Sequence, residues 1–134
     1  MVEGLDANGN TKWVRYFSAN TRQGGNALVQ TPDGGFAVAG SVSTYNNGSW
    51  GYLVKTDSTG GLMWSKLVFS RDFYPELQDI TLTSDGGFAV VGNNSPDGAY
   101  YDMYLIKLKS NGAFEWARSI GGTSTETPTF VKQT

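Results

Sequence analysis

Apolar positions in this chain come in short runs or alternate with polar ones, and each run stops at a cluster of Gly, Asp, Asn, Ser or Thr. In 62–69, Leu62, Trp64, Lys66 and Val68 fall on one side of an extended chain, with Met63, Ser65, Leu67 and Phe69 on the other. Both sides are largely apolar, which predicts a strand covered on both faces. The segments 78–83 (QDITLT), 87–92 (GFAVVG) and 103–107 (MYLIK) are β-branched, aliphatic or aromatic and read as three more strands. No stretch carries the 3.6-residue period of a helix.

The turn signals are as regular as the strands. Pro32-Asp33-Gly34-Gly35 and Ser84-Asp85-Gly86-Gly87 sit between strands at hairpin spacing. Asp-Gly favours a turn residue with positive φ. The second glycine lets the next strand start without a Cβ clash. Asn8-Gly9, Thr59-Gly60 and Asn111-Gly112 mark turns just before Trp13, Trp64 and Trp116. Those tryptophans are 51 and 52 residues apart, and Phe36 and Phe88, like Lys55 and Lys107, are 52 apart. A repeat of this length made of short strands predicts a radial or stacked architecture.

The expected fold is therefore all-β, built of four-stranded antiparallel β-propeller blades of about 52 residues, with a sandwich or solenoid as the structural alternatives. The chain is expected to be one repeat domain with units at 5–55 and 56–107 and a partial unit at 108–134. It should open on the Trp13 strand and close on a short strand at 130–134, ten strands and about two and a half blades in all. Such a set does not close a ring, so it should need further blades, its own or a partner's. Unpaired strand edges at its ends would invite pairing, and a homo-oligomer is expected if the chain is expressed alone.

Composition narrows the function more than it defines it. The 134 residues carry a net charge of −2, and only 16% of them are charged, with no basic run to bind nucleic acid. There is no cysteine and no histidine. Disulfides, thiolate metal sites and every Ser-His-Asp or Cys-His arrangement are excluded. No apolar run approaches the 18 residues of a membrane-spanning helix.

The combination D-x-x-G-x-x-x-W, a strand ending in T/S-D-G-G-F, a strand ending in Gly, and Y-L-V/I-K resembles the β-propeller repeats of large secreted and surface-anchored bacterial and archaeal proteins. It is similar, more loosely, to the quinoprotein-like propeller repeat. The resemblance implies that Trp13, Trp64 and Trp116 dock neighbouring blades near a glycine that makes room. It implies that Gly35 and Gly87 start strands and that Gly40 and Gly92 end them, and it places the protein outside the cell or at its surface. Nothing matches the cofactor-binding residues of quinoproteins, so neither that quinone nor any other cofactor is expected. Two positions depart from the pattern. Trp50 stands where the second copy has Asp102, and Lys109 stands where Asp6 and Asp57 stand earlier.

Candidate chemistry is sparse. The segment 6–10 (DANGN) has the oxygens of a calcium loop but Phe17 at its twelfth position, where a carboxylate belongs, so it reads as a turn capped by its own Asp. No metal site is expected. Asp72, Glu76 and Asp79 cluster beside Phe73, Tyr74 and Pro75. They define the alternative function, a carboxylate-dependent glycan hydrolase or lyase. Lys55 and Lys107 recur in register and read as structural, their stems packed and their ammonium groups reaching water or an acid such as Asp57. The binding candidates are aromatics in the segments where the copies diverge: Tyr45, Trp50, Tyr74, Tyr100 and Tyr101, with Asp72 and Glu76. The leading expectation is a non-catalytic repeat module or scaffold that binds a protein or a glycan.

Overall fold

The computed structural model describes residues 1–17, 22–44, 48–68, 73–95 and 100–134. The described residues form ten strands and no helix. These are β1 (Val2–Leu5), β2 (Thr11–Arg15), β3 (Arg22–Gln30), β4 (Phe36–Thr44), β5 (Gly48–Thr56), β6 (Leu62–Val68), β7 (Phe73–Leu82), β8 (Phe88–Ser95), β9 (Asp102–Leu108) and β10 (Phe114–Ile120). They make one two-stranded sheet, β1-β2, and two four-stranded sheets, β3-β4-β5-β6 and β7-β8-β9-β10, with every pair antiparallel. The four-stranded sheets are blade-like meanders, and each closes on a strand that carries a repeat tryptophan.

Five hairpins share one turn. In each, the first residue's N–H donates to the carbonyl of the fifth, and the N–H of the fourth, a glycine, donates back to the carbonyl of the first. Those glycines (Gly9, Gly34, Gly60, Gly86 and Gly112) have φ of 77–83°. This is the three-residue hairpin whose last position needs the left-handed region. In a meander all tight turns fall at one end of the sheet. The strand ends that lead into the divergent connections, among them Thr44, Gly48, Val68, Phe73 and Ser95, lie at the other. Hence each sheet has a turn end and a loop end.

The core lies between the two large sheets. Ala37, Ala39 and Leu53 of the first face Leu77, Ile80, Phe88, Val90, Ile106 and Leu108 of the second. The alanines let the sheets approach closely. Bulges at matching places, Asn26 between Gly25 and Ala27, and Gln78 between Leu77 and Asp79, re-aim β3 and β7. The Asn26 amide then donates to the Leu77 carbonyl at 2.9 Å, tying β3 to β7.

Several expectations are corrected. The chain opens on β1 rather than on the Trp13 strand, because the turn at 6–10 folds Val2–Leu5 back onto β2. Residues 130–134 do not form a strand. Their contacts go to side chains: the Val131 N–H donates to Asp79 Oδ2 at 2.8 Å, and the Gln133 side chain bonds Ser84. Gly40 and Gly92 lie inside β4 and β8 rather than at their ends. A Cβ on Gly40 would sit 1.8 Å from the Gly24 carbonyl oxygen, so glycine there admits the bulged neighbour. Finally, β6 is not covered on both faces. It is the outermost strand of its sheet, and Leu62, Met63 and Leu67 are more than half exposed.

Candidate functional site

At the turn end the side chains reinforce the backbone. Asp33 Oδ1 accepts from the Gly35 N–H and the Thr31 hydroxyl, and both its oxygens accept from the Lys55 ammonium, at 3.1 and 2.9 Å. The second copy repeats this. Asp85 Oδ1 accepts from the Gly87 N–H and the Thr83 hydroxyl, and its Oδ2 lies 2.8 Å from Lys107 Nζ. The lysines therefore pair with Asp33 and Asp85, and the expected partner Asp57 is corrected. The strand that bears the lysine runs beside the strand opened by the Asp-Gly-Gly turn, which brings Asp33 across to it. Asp57 Oδ1 is already occupied by the Thr59 and Gly61 N–H groups and the Thr59 hydroxyl.

The electrostatics follow these contacts. Hydrogen bonds from Lys55, then Thr31 and Gly35, hold Asp33 well below the usual carboxylate range, and Lys107, Thr83 and Gly87 do the same for Asp85. Burial is the largest single influence on Lys107 and acts to lower its pKa. The bonds and charges of Asp85 and Glu115 together outweigh it and leave the group raised. Asp6 is lowered by bonds from Asn10 and Asn8. Its oxygens are thus spent on its own turn. At 109–113 Lys109 replaces that acid, and Asn111 Oδ1 takes over by accepting from the Ala113 N–H.

A Cβ on Gly35 would lie 2.0 Å from the Thr56 carbonyl oxygen, and one on Gly87 2.3 Å from that of Leu108. Trp13 meets Phe36 of the next sheet with centroids 5.8 Å apart, and Trp64 meets Phe88 at 6.0 Å. Trp116 has no such ring partner among the described residues.

The loop end is where the copies part. Trp50 is half-buried and pairs across strands with Val42. The matching pair one unit later is Asp102 with Asn94. An apolar pair in one sheet is thus a polar pair in the other. Beside it, Asn93, Asn94 and Ser95 are all at least nine-tenths buried. Among the described residues Asn93 Oδ1, Asn94 Oδ1, Ser95 Oγ and Glu126 Oε2 are buried without a hydrogen-bond partner. The Glu126 N–H donates to the Tyr101 carbonyl at 2.7 Å, which carries the C-terminal segment past this end of the sheet. These four polar residues were missed by sequence reasoning. The signal was available, since GNNSP in the second copy replaces GSVST in the first.

Of the aromatic candidates, Tyr100 is exposed and Tyr101 half-buried next to it. Tyr45 and Asp72 lie outside the described residues, as does the side chain of Tyr74. Glu76 is exposed and accepts from the Gln78 amide at 2.9 Å. Asp79 is half-buried, with one oxygen bonded to the Val131 N–H. The structure therefore engages Glu76 and Asp79 in separate local contacts. Among the described residues no three Asp, Glu, His or Cys side chains are grouped to hold a metal ion. No protein-family model matches the chain, and no curated protein matches it either.

Proposed function

We propose that the chain is a non-catalytic repeat module of the β-propeller kind, which holds its loop end out to a protein or glycan and uses its sheets and turn end as scaffold. One observation carries this reading. The two copies keep the same turns, the same Lys–Asp pairs and the same Trp–Phe contacts at the turn end, yet exchange Val42–Trp50 for Asn94–Asp102 at the loop end. What every unit needs is repeated. What differs is free to recognise something.

The exposed Tyr100 and the half-buried Trp50 and Tyr101 supply aromatic area of the kind that recognition surfaces use. A place outside the cell or at its surface accompanies this reading by the resemblance of the repeat.

The test is a glycan array and a cell-surface protein panel, followed by amide chemical-shift mapping of any binder. Shifts confined to the loop-end residues Trp50, Asn93–Ser95 and Tyr100–Asp102 are the expected result. Shifts at the Asp-Gly-Gly turns, or turnover of a glycan that depends on Glu76, would overturn the proposal.

A further inference from the structure

The junction between consecutive sheets follows one rule. Trp13 lies against Phe36 and against Gly60, where a Cβ would fall 2.7 Å from the indole. Arg15, stacked over Trp13 at 6.0 Å, reaches the Thr59 carbonyl in the same turn at 3.2 Å. One unit later Trp64 lies against Phe88 and Gly112, whose Cβ would fall 3.2 Å from the ring. Each tryptophan therefore seats on the positive-φ glycine of the next unit's last hairpin.

Two parts of this device are left without a mate, at opposite faces of the molecule. Trp116 is 40% exposed, with Arg118 stacked over it at 5.8 Å as Arg15 is over Trp13. Gly9 has the same turn and nearly the same φ as Gly60 and Gly112, and none of the described residues lies within 4 Å of its would-be Cβ. One is a docking residue without a seat, the other a seat without a docking residue.

The surroundings of the two are also complementary. Beside β1 runs a groove of about 300 Å³, lined by Met1, Val2, Gly25, Ala27, Leu28 and Val38. It lies on the face of the first sheet where a preceding unit's inner strands would pack. On the far face of the second sheet the segment 126–133 is pinned to Tyr101, Asp79 and Ser84. As Asn26 of β3 bonds the main chain of β7 51 residues on, Asp79 of β7 bonds the main chain of this segment 52 residues on. One face thus offers an inner segment and a docking Trp, and the other offers outer strands, an open seat and a groove.

We infer that, for these 134 residues on their own, the occupant of both faces is a second copy, joined head to tail. Trp116 of each copy seats on Gly9 of the other, and segment 126–133 of each lies along the other's groove. The inference rests on the scaffold reading above and names the scaffold's partner. Each copy then brings two whole sheets and shares in a third at each junction, so two copies give six radial units. Six lies within the four to eight blades at which such rings close. The two junctions are related by a two-fold rotation, so the interface as a whole is self-complementary and leaves no face for further growth.

Light scattering on the purified 134-residue chain should give twice 14.5 kDa. Trp116→Ala, and Gly9→Asn, which fills the seat with a residue that tolerates positive φ, should each yield a monomer with unchanged far-ultraviolet circular dichroism. Leu67→Ser, on the exposed outer strand, should leave the dimer intact. The chain has no cysteine of its own, so cross-linking reports orientation directly. Arg118→Cys mixed with Asn8→Cys should be joined between copies by a short bis-maleimide, because Arg15 reaches the Thr59 carbonyl at the equivalent junction and the glycine seat is left intact. A monomer at all concentrations, a mass above two copies, or cross-linking between identical positions would overturn the inference. None of these outcomes bears on where a ligand maps, so the proposed function would stand or fall separately.

Discussion

Lys55 Nζ lies 2.9 Å from Asp33 Oδ2, with the lysine side chain only 6% exposed and the aspartate half in solvent. The two sides of this pair therefore carry unequal stakes. Removing the acid leaves a buried ammonium with only the Thr56 carbonyl and a weak contact to Met63 sulfur. Removing the lysine leaves an acid that still accepts from Thr31 and Gly35 and faces water. Asp33→Ala should cost about 2 kcal/mol in urea unfolding, whereas Lys55→Met should be near neutral. Equal losses from the two variants would show that the pair acts as a simple surface ion pair.

Acid should unfold the protein through these turns. The carboxylates of Asp33, Asp85, Asp6 and Asp57 are all lowered in the folded chain. A lowered folded-state pKa contributes stability above the unfolded value and loses it as pH falls below that value. The melting temperature should hold steady down to about pH 5 and fall steadily below about pH 4. In Asp33→Asn/Asp85→Asn the slope below pH 4 should flatten, as read by calorimetry across the acid range.

The paired glycines of the Asp-Gly-Gly turns should respond differently to alanine. Gly86→Ala meets no neighbour but must hold φ near 79°, a cost of about 1–2 kcal/mol. Gly87→Ala has an ordinary φ but drives a Cβ to 2.3 Å from the Leu108 carbonyl oxygen, where only backbone movement relieves it. That change should cost at least about 3 kcal/mol or abolish folding. The reverse ranking in thermal melts would refute the close-approach account.

Trp64→Ala should weaken the junction between the large sheets by about 3–5 kcal/mol, since it removes both the Phe88 contact and the cover over Gly112. Denaturant titration should then show two transitions where the parent shows one. A single unshifted transition would mean that the sheets are coupled through the Ala37–Leu77 core alone.

Asn94→Val should stabilise. Its Oδ1 is buried without a partner among the described residues, and the equivalent position one unit earlier is Val42. Replacing an unpaired buried acceptor with a side chain of similar size should gain about 1 kcal/mol. If the polar loop end serves recognition, the same variant should bind the mapped ligand more weakly.

What the sequence disclosed, it disclosed through repetition. Gly34 and Gly86 mark their turns because glycine adopts that φ with the least strain, and the tryptophans mark their strands by spacing. Val2–Leu5 was hidden because Glu3 and Gly4 give it neither alternation nor propensity, and its strand exists only through pairing with Val14 and Trp13. The segment 130–134 misled in the opposite sense. It has the composition of a strand, but the Val131 amide is met by the Asp79 side chain instead of a ladder. The lysine's true acid was hidden because Asp33 lies 22 residues away in the chain and Asp57 lies two away. Cross-strand neighbours are set by register, which single positions do not announce. At the loop end the pairing of Asn94 with Asp102 needed the same register before the difference between copies could be read as one coupled exchange.

The seating of each tryptophan on the following unit's glycine has a consequence for how such a chain evolves. The contact reads only the adjacent neighbour, so whole units can be duplicated or lost without redesigning any joint. Stability should then behave as a linear series of unit terms and junction terms, and a chain could lengthen by gene duplication in steps of one repeat while each joint already matched the next.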